Sequence, residues 1–352
     1  MNTLVAQRKR NTLGTIGRNW VLVFLVLEFG YFAILTRGFA SLNIVQMILF
    51  YGTEAFLLAT AELFVIITGG IDLSVGYVLG FATVISSKLM VVFASRGLSP
   101  LGAIVTSILI TLCVGLIPGF VNGVLVAKLR VPPFIATFSM LGVCQGVSEL
   151  LMQGIPAKNL PPLAGTIGNG HFLYIVPGSG ISFMQRPDVA RGVRVIEIIP
   201  NAVVFALVFI AIFAFILTKT RFGQHIYAIG GNIDAASRAG IDVKKHIIGV
   251  YMISSFFASL AGIIYVMKYI TGKADAGAAS LLDAIAAVVI GGASMFGGSG
   301  TVWRTILGCL VIATLETGLR MRGTPTFDKY ILVGVILIFT VVIERFFPDF
   351  KR

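Results

Sequence analysis

Long apolar runs separated by short polar breaks dominate the chain, and this pattern predicts membrane-spanning helices. A helix crosses the hydrocarbon core of a bilayer with about 20 predominantly apolar residues. The ten runs are residues 20–36, 44–67, 75–94, 101–125, 134–153, 201–218, 247–269, 284–295, 302–319 and 330–347. The run 284–295 is short for a crossing, so it is predicted to be re-entrant, tilted or extended backward through Leu281.

Three polar segments set the expected topology of these runs. Residues 1–19 form a basic tail without acids, which favours a cytoplasmic N-terminus. Ten crossings then bring the C-terminus back to the cytoplasmic side. Residues 155–199 are rich in Pro and Gly and too broken to span, so they predict a large external loop with a short surface helix near 193–199. Residues 219–245 are predicted to form a basic cytoplasmic loop.

The composition agrees with a membrane protein and excludes other classes. Of the 352 residues, 57% are hydrophobic and only 12% are charged, whereas soluble domains carry about 25% charged residues. The mean hydropathy is +0.96. We therefore expect an all-α integral membrane protein with about ten transmembrane helices in one domain, residues 1–352. The net charge of +12 comes from Lys and Arg that gather at helix ends, so nucleic acid is not an expected partner.

No catalytic or nucleotide-binding chemistry is expected within the chain. The glycine-rich run 291–300 lacks the Lys-Ser/Thr pair that completes a phosphate-binding Walker A loop. The three histidines are isolated, and the three cysteines lie in apolar runs without paired spacing, so neither a metal site nor a disulfide is predicted. The chain is therefore expected to be a transport subunit rather than an enzyme, without a cofactor of its own.

A short helix is predicted inside the cytoplasmic loop 219–245. Asn232 can serve as its N-cap, and Asp234 lies in the first turn, where the helix dipole favours an acid. Gly240 stands where a left-handed residue ends a helix. A helix of two turns is marginal alone in water, so we expect that a partner surface packs against it.

Two glycine-broken segments, residues 68–76 and 291–300, predict a central pathway through the membrane. An acid precedes each break, Glu62 in one half and Asp283 in the other, and the flanking sequences 65–70 and 288–292 echo each other. An ionisable group at membrane depth is expensive and faces a polar route, or else it forms a structural ion pair or reaches the interface. The predicted pathway residues are Glu62, Gly69, Gly70, Asp72, Ser74, Asn122, Asp283, Gly291 and Gly292.

The polar residues after the first break allow two interpretations. Gly69 and Gly70 let the helix unwind, and Asp72 and Ser74 can then accept or cap the freed backbone N–H groups. Alternatively, residues 68–76 form only a cytoplasmic turn in which Asp72 is the N-cap of the third span.

Four stretches of the chain resemble the membrane permeases of bacterial monosaccharide ABC importers, the ribose, galactose and xylose type. They are VIITGGIDLSVG at 65–76, GFVNGVLVAKLRVPPFIAT at 119–137, TRFGQHIYAIGGNIDAASRAGI at 220–241 and LLDAIAAVVIGGASMFGGSGTVW at 281–303. Within the third, an acid followed by two alanines, three further residues and a glycine resembles the spacing by which such permeases dock on their ATPase. Asp234 stands where the family often has Glu, and the loop 155–199 is longer than usual.

The resemblance implies a type II-like importer permease in the bacterial inner membrane. Its implied partners are an ATPase subunit that holds ATP and Mg, a periplasmic or lipid-anchored substrate-binding protein, the lipid bilayer, and a second permease copy or close paralogue. The residues it implies for ATPase coupling are Gly231, Asn232, Asp234, Ala235, Ala236, Arg238 and Gly240.

Several functions remain open from the sequence. Importers of this broad class also carry nucleosides, riboflavin or a furanosyl autoinducer, and the sequence does not distinguish these substrates from a sugar. An ion-coupled secondary transporter could use Glu62 or Asp283 as a proton carrier without any ATPase. A channel or a structural membrane scaffold is a third class.

Overall fold

The computed structural model describes residues 20–178, 180–189 and 193–346, so the basic tail 1–19 lies outside the described residues. In chain order, the elements are α1 (Trp20–Leu35), α2 (Leu42–Ile67), α3 (Val75–Ser95), α4 (Pro100–Ala127), α5 (Pro133–Met152), α6 (Pro162–Asn169), β1 (Leu173–Val176), β2 (Gly180–Phe183), β3 (Ile196–Glu197), α7 (Asn201–Lys219), α8 (Arg221–Gly231), α9 (Ile233–Arg238), α10 (Val243–Tyr269), α11 (Ala278–Ile290), α12 (Val302–Met321) and α13 (Thr326–Phe346).

Each of the ten predicted apolar runs coincides with a helix. Seven helices in the described part of the chain are long and apolar enough to cross a membrane, namely α2, α3, α4, α5, α7, α10 and α12. Two shorter apolar helices are α1 and α11. Helix α11 begins at Ala278 and ends at Ile290, so the short run predicted at 284–295 is extended backward, and its last residues belong to a turn.

Helices α2 and α10 form the centre of the molecule. In the apolar windows of these two helices, 83% and 67% of the residues are buried. Helix α10 packs against α2, α3 and α4. The contact with α4 is close because Gly115, Gly119 and Gly123 recur at every fourth position, and a Cβ at any of them would collide with α10. In contrast, α1, α4, α5 and α7 present exposed apolar side chains, as lipid-facing helices do.

The segment 155–199 contains a small sheet, so the expectation of an all-α chain is corrected. The strand order is β2-β1-β3, with both pairings antiparallel. The surface helix predicted near 193–199 is absent, because Ile196 and Glu197 pair with β1 instead. The helix of this segment is α6, which begins at Pro162. The Gln46 side chain of α2 donates to the carbonyl oxygens of Glu197 and Ile198 at 2.5 and 2.6 Å and so fixes the segment to the bundle.

The segment 219–245 is mostly helical rather than a loop. Helix α8 spans Arg221–Gly231, α9 follows after one residue, and α10 begins at Val243. Gly223 and Gly230 are helical positions at which another part of the backbone approaches closely. A Cβ at Gly223 would overlap the Leu217 carbonyl oxygen, and one at Gly230 would overlap the Ile67 carbonyl oxygen. Close packing, not flexibility, requires these glycines.

Candidate functional site

Helix α9 has the predicted cap at its N-terminus and the predicted glycine stop at its C-terminus. The Asn232 side chain accepts a hydrogen bond from the Ala235 N–H at 2.9 Å, as an N-cap does. At the other end, Gly240 has φ +83°. The Gly240 N–H donates to the Ser237 carbonyl and the Ile241 N–H to the Ala236 carbonyl, at 3.0 and 3.1 Å, which is a Schellman motif.

The surface of α9 is open. Ala236 is buried, while the remaining residues of the helix are exposed, including half of the Ile233 side chain. Asp234 lies in the first turn and Arg238 in the last, so each charge complements the helix dipole. An exposed helix of six residues with an apolar side chain at its start is suited to pack in a groove of another protein.

Asp242 fixes the start of α10 beside this helix. Its side chain accepts from the Lys245 N–H at 3.1 Å and forms an ion pair with the Lys245 ammonium at 3.2 Å. The hydrogen bond from the Lys245 N–H lowers the pKa of Asp242 below its usual range, and the Lys245 side chain lowers it further. The carboxylate is therefore ionised at neutral pH, where it caps the helix.

Four glycines join α8 to the ends of two membrane helices, and we call Gly69, Gly230, Gly297 and Gly298 the glycine joint. The Gly298 N–H donates to the carbonyl oxygen of Ile67, the last residue of α2, at 2.8 Å. A Cβ at Gly297 would lie 2.8 Å from the Gly230 carbonyl oxygen and 3.0 Å from the Gly69 nitrogen. Backbone therefore contacts backbone where α8, α2 and the segment 291–301 meet.

A tyrosine adds a second link between α8 and the segment 291–301. The Tyr227 hydroxyl donates to the Gly300 carbonyl oxygen at 2.6 Å. The segment 291–301 lies directly between α11 and α12. Helix α8 is therefore hydrogen-bonded to the segment that joins α11 to α12.

The two glycine breaks have the same helix-end geometry. At the end of α2, Gly69 has φ +79°, and the next amide donates to the carbonyl oxygen five residues earlier over 3.1 Å. At the end of α11, Gly292 has φ +87°, and the next amide makes the equivalent bond over 3.2 Å. Both ends are Schellman motifs, so the sequence echo between 65–70 and 288–292 corresponds to a repeated local structure.

The polar residues after the first break form a buried cluster. Glu62 accepts from the Asp72 N–H at 3.1 Å. Asp72 accepts from the Ser74 N–H at 3.0 Å, from the Ser74 hydroxyl at 2.5 Å and from the Ser254 hydroxyl at 2.7 Å. Asn122 donates to the Ser74 hydroxyl at 3.0 Å. All five side chains are fully buried, and the carboxylates accept from the backbone N–H groups that the unwound segment leaves free.

This cluster differs from a simple cytoplasmic turn in two respects. The N-cap of α3 is Ser74 rather than Asp72. Three buried polar atoms around the cluster, Glu62 Oε2, Asn122 Oδ1 and the Tyr251 hydroxyl, have no hydrogen-bond partner among the described residues. The interpretation in which Asp72 and its neighbours satisfy the backbone of a broken helix fits these contacts better than the N-cap alternative.

Asp283 lies in a separate cluster of charges. The Lys329 ammonium contacts Asp283 Oδ2 at 2.7 Å and Glu316 Oε2 at 2.9 Å, and Arg320 contacts Glu316 Oε1 at 2.7 Å. Asp283 thus forms a structural ion pair, which was the predicted alternative to a carboxylate that faces a polar route. The structure does not bring Asp283 together with Glu62, which belongs to the buried cluster described above.

A cavity of about 470 Å³ lies beside these charges. Helices α2, α10, α11, α12 and α13 line it, and Asp283, Glu54 and Tyr265 are among its wall residues. Glu54 pairs with the Lys268 ammonium at 2.8 Å. Among the predicted pathway residues, Asp283 lines this cavity, whereas Glu62, Asp72, Ser74 and Asn122 do not.

Sequence reasoning missed the cationic side of both ion-pair clusters. Lys268 and Lys329 are buried, and each contacts a carboxylate. A lysine inside or next to an apolar run is the signal that could have indicated such pairing, since an unpaired charge is expensive there. The partner could not be named, because Glu54 and Lys268 are 214 positions apart. Within the described residues, no group of three or more His, Cys, Asp or Glu side chains is placed to hold a metal ion.

The chain is similar to known permeases over most of its length. A family model described as "Branched-chain amino acid transport system / permease component" matches residues 44–341. The inner membrane ABC transporter permease protein YjfF of Escherichia coli (strain K12) is 34% identical over 337 residues, which covers 94% of this chain and 93% of that protein. The ribose import permease protein RbsC of Bacillus subtilis (strain 168) is 33% identical over 307 residues, covering 86% and 84%.

A third relative is the D-allose transport system permease protein AlsC of Escherichia coli (strain K12). It is 30% identical over 330 residues, which covers 94% of this chain and 91% of that protein. No solved structure matches the chain.

Proposed function

Because the chain belongs to the family of transport-system permease components, we propose that it is the membrane subunit of an ABC importer for a monosaccharide. The observation that carries the proposal is the similarity, over about nine-tenths of the chain, to permeases named for ribose and allose. Import of a nucleoside, riboflavin or a furanosyl autoinducer by the same kind of permease is less favoured, since two of the three relatives described above are named for sugars. ATP and Mg would bind to the partner ATPase, because no nucleotide-binding motif occurs in this chain.

The capped helix α9 would be the contact with the ATPase. Its Asn232 cap and Gly240 stop hold a two-turn helix in place, and its surface is exposed. In this proposal the coupling residues are Gly231, Asn232, Asp234, Ala235, Ala236, Arg238 and Gly240. Movement of the ATPase would displace α8 and α9 together, and the glycine joint would pass this displacement to α2, α11 and α12.

The proposed topology has ten crossings with both termini in the cytoplasm of a bacterium. Helices α8 and α9 would then lie on the cytoplasmic side, and the segment 155–199 with its small sheet would face outward. A substrate-binding protein would deliver the sugar to that outer face, and a second permease copy or close paralogue would complete the transporter. The pathway would involve Asp283 at the cavity. The break between α2 and α3, at Gly69 and Gly70, would be supported by the buried side chains of Glu62, Asp72, Ser74 and Asn122. Gly291 and Gly292 would form the corresponding break at the end of α11.

Replacement of Gly240 by Arg tests the ATPase contact. Gly240 has φ +83° and open space around it, so the variant disturbs the helix stop and its surface without a clash in the core. We expect copurification of the ATPase and sugar uptake each to fall about tenfold or more, as for loss of a central interface contact. Gly97→Arg is the matched control, because Gly97 also has a left-handed φ, +87°, and open space, but lies between α3 and α4.

The same experiment separates the importer from other transporters. If Gly240→Arg left both uptake and ATPase copurification unchanged, the importer proposal would be wrong. Uptake that a protonophore abolishes but that survives ATP depletion would instead identify an ion-coupled secondary transporter.

A further inference from the structure

The cavity beside Asp283 is a built polar site of the size that small ligands occupy. Its volume is about 470 Å³, and ligand sites in proteins enclose roughly 300–1,000 Å³. Small residues on three sides, Gly52, Ala279 and Ala313, leave this space open. Tyr51, Tyr265 and Tyr269 contribute aromatic walls.

The charges in and behind the cavity wall cancel. Three carboxylates, those of Glu54, Asp283 and Glu316, line the cavity together with two cations, Arg320 and Lys329. The third cation is Lys268, which pairs with Glu54 from behind the wall. Each of these six groups therefore has an opposite charge within 2.9 Å.

This pairing indicates the chemistry of the ligand. An anion, a cation or a zwitterionic amino acid would need an unpaired countercharge, and the cavity wall offers none. A sugar hydroxyl is both a donor and an acceptor, so it can donate to a carboxylate and accept from an ammonium or guanidinium group of the same pair. The tyrosine rings present apolar faces for the C–H side of a sugar ring, and their hydroxyl ends are polar.

The position of the cavity agrees with a site on a transport route. Met47 and Tyr51 of α2 line it, and the neighbouring Gln46 holds the segment 155–199. Its wall includes Asp283 on α11, and α11 leads directly into the segment 291–301 that contacts α8. One helix therefore joins the cavity to the glycine joint.

We propose that this cavity is the transit site for an uncharged monosaccharide, and that its paired charges select a neutral polyhydroxylated ligand over a zwitterionic amino acid. The inference rests on the proposed import function. It adds the place in the chain where the sugar binds and the reason why the sugar, rather than the amino acid for which the family model is named, fits there.

A filling substitution tests the site in the assembled transporter. Wild-type uptake is first measured with labelled D-ribose, D-allose, D-galactose and L-leucine. Ala279→Phe places a ring in the cavity, and we expect uptake of the imported monosaccharide to fall about tenfold or more, because the ring occupies space that the sugar would need. Ala211→Phe is the control, because Ala211 is exposed on α7 and does not line the cavity; its uptake should match the wild type.

A thiol-protection measurement keeps the test independent of the folding of Ala279→Phe. Ser280 lines the cavity, and Ser280→Cys in a Cys113→Ser background introduces a reactive thiol while Cys144 and Cys309 stay buried. We expect a membrane-impermeant thiol reagent to label this variant from outside, and the imported monosaccharide, but not L-leucine, to slow the labelling.

The outcomes separate the cavity from the import function. If the wild type imports a monosaccharide but Ala279→Phe imports it equally well, or the sugar leaves the labelling of Ser280→Cys unchanged, the cavity is not the transit site and the import function stands. Protection by L-leucine equal to that by the sugar would refute the selectivity. If the wild type imports L-leucine and none of the sugars, the proposed function itself fails.

Discussion

Buried lysines in the helix bundle contact carboxylates that are distant in the sequence. The Lys268 ammonium lies 2.8 Å from Glu54 Oε2 and 2.6 Å from the Phe50 carbonyl oxygen, over the Phe50 ring. Its side chain is fully buried. A charge in such a place persists only when it is paired and hydrogen-bonded, because the loss of solvation is otherwise not offset. The pair thus fixes α2 against α10 at one position.

Removal of one partner should therefore be costly. Lys268→Met leaves the Glu54 carboxylate buried without a countercharge, and we expect the free energy of unfolding in detergent to fall by about 3–5 kcal/mol. The double variant Lys268→Met/Glu54→Leu should regain most of this loss, since two apolar side chains replace the pair. Denaturant unfolding monitored by circular dichroism measures both changes.

An exposed ion pair provides the control for this prediction. Lys273 and Asp275 are 3.2 Å apart, and more than half of each side chain is exposed. Lys273→Met should change the free energy of unfolding by less than about 1 kcal/mol. Equal losses for Lys268→Met and Lys273→Met would contradict the importance of burial for the Glu54–Lys268 pair.

Among the elements, the membrane helices could be predicted and the short connections could not. Long apolar runs leave no alternative to helix in a bilayer, so the run at 75–94 is found as Val75–Ser95. Helix α8 was missed because glycine is common in loops. In the fold, position 230 needs a glycine because a Cβ there would overlap the Ile67 carbonyl oxygen. Strand β3 was missed because its two residues acquire their structure only from pairing with β1, more than 20 positions earlier.

The local features of the candidate site could be predicted from the sequence, but the contacts between its helices could not. The local cap at Asn232, the stop at Gly240 and the break at Gly69 depend on residues close in the sequence, so a pattern can indicate them. The separation of Asp283 from the Glu62 cluster, and the pairing of Asp283 with Lys329, depend on which helices pack together. No local pattern contains that information.

Two adjacent glycines in α8 allow a test of the glycine joint. A Cβ at Gly230 would overlap the Ile67 carbonyl oxygen, whereas a Cβ at Gly231 meets nothing within 4 Å. We expect Gly230→Ala to lower the melting temperature in detergent, because α8 must move away from the end of α2. Gly231→Ala should keep or slightly raise it, since Ala favours a helix by up to about 1 kcal/mol over Gly.

If α8 packs on α2 through the glycine joint, the two variants must differ in melting temperature. Equal melting temperatures for Gly230→Ala and Gly231→Ala would mean that α8 does not rest on α2. A fall confined to Gly231→Ala would contradict the packing described for both positions.

For the whole molecule, the proposed topology places two exposed segments on opposite sides of the membrane. Ile181 in β2 is largely exposed at the end that carries the segment 155–199, and Ser237 is exposed on α9. With an N-terminus in the cytoplasm, Ile181→Cys should be labelled by a membrane-impermeant thiol reagent in intact cells. Ser237→Cys should be labelled only after permeabilisation.

The native cysteines allow this measurement in the natural sequence background. Cys144 and Cys309 are buried, and Cys113 is exposed on α4, one of the helices with a lipid-facing apolar surface. The unsubstituted chain should therefore give little labelling in intact cells. Labelling of both variants from the same side would exclude the topology of ten crossings.

The glycine joint also determines the mechanical compliance of the molecule. Side chains at an interface can absorb a displacement by changing rotamer, but Gly230, Gly297 and the Ile67 carbonyl bring main chain directly against main chain. Such a contact has no side-chain torsions to relax, so we expect a small shift of α8 to produce a shift of similar size in its neighbours. We expect the size of the displacement that reaches the cavity to be set by the rigid rotation of α11, because the glycine joint absorbs almost none of it.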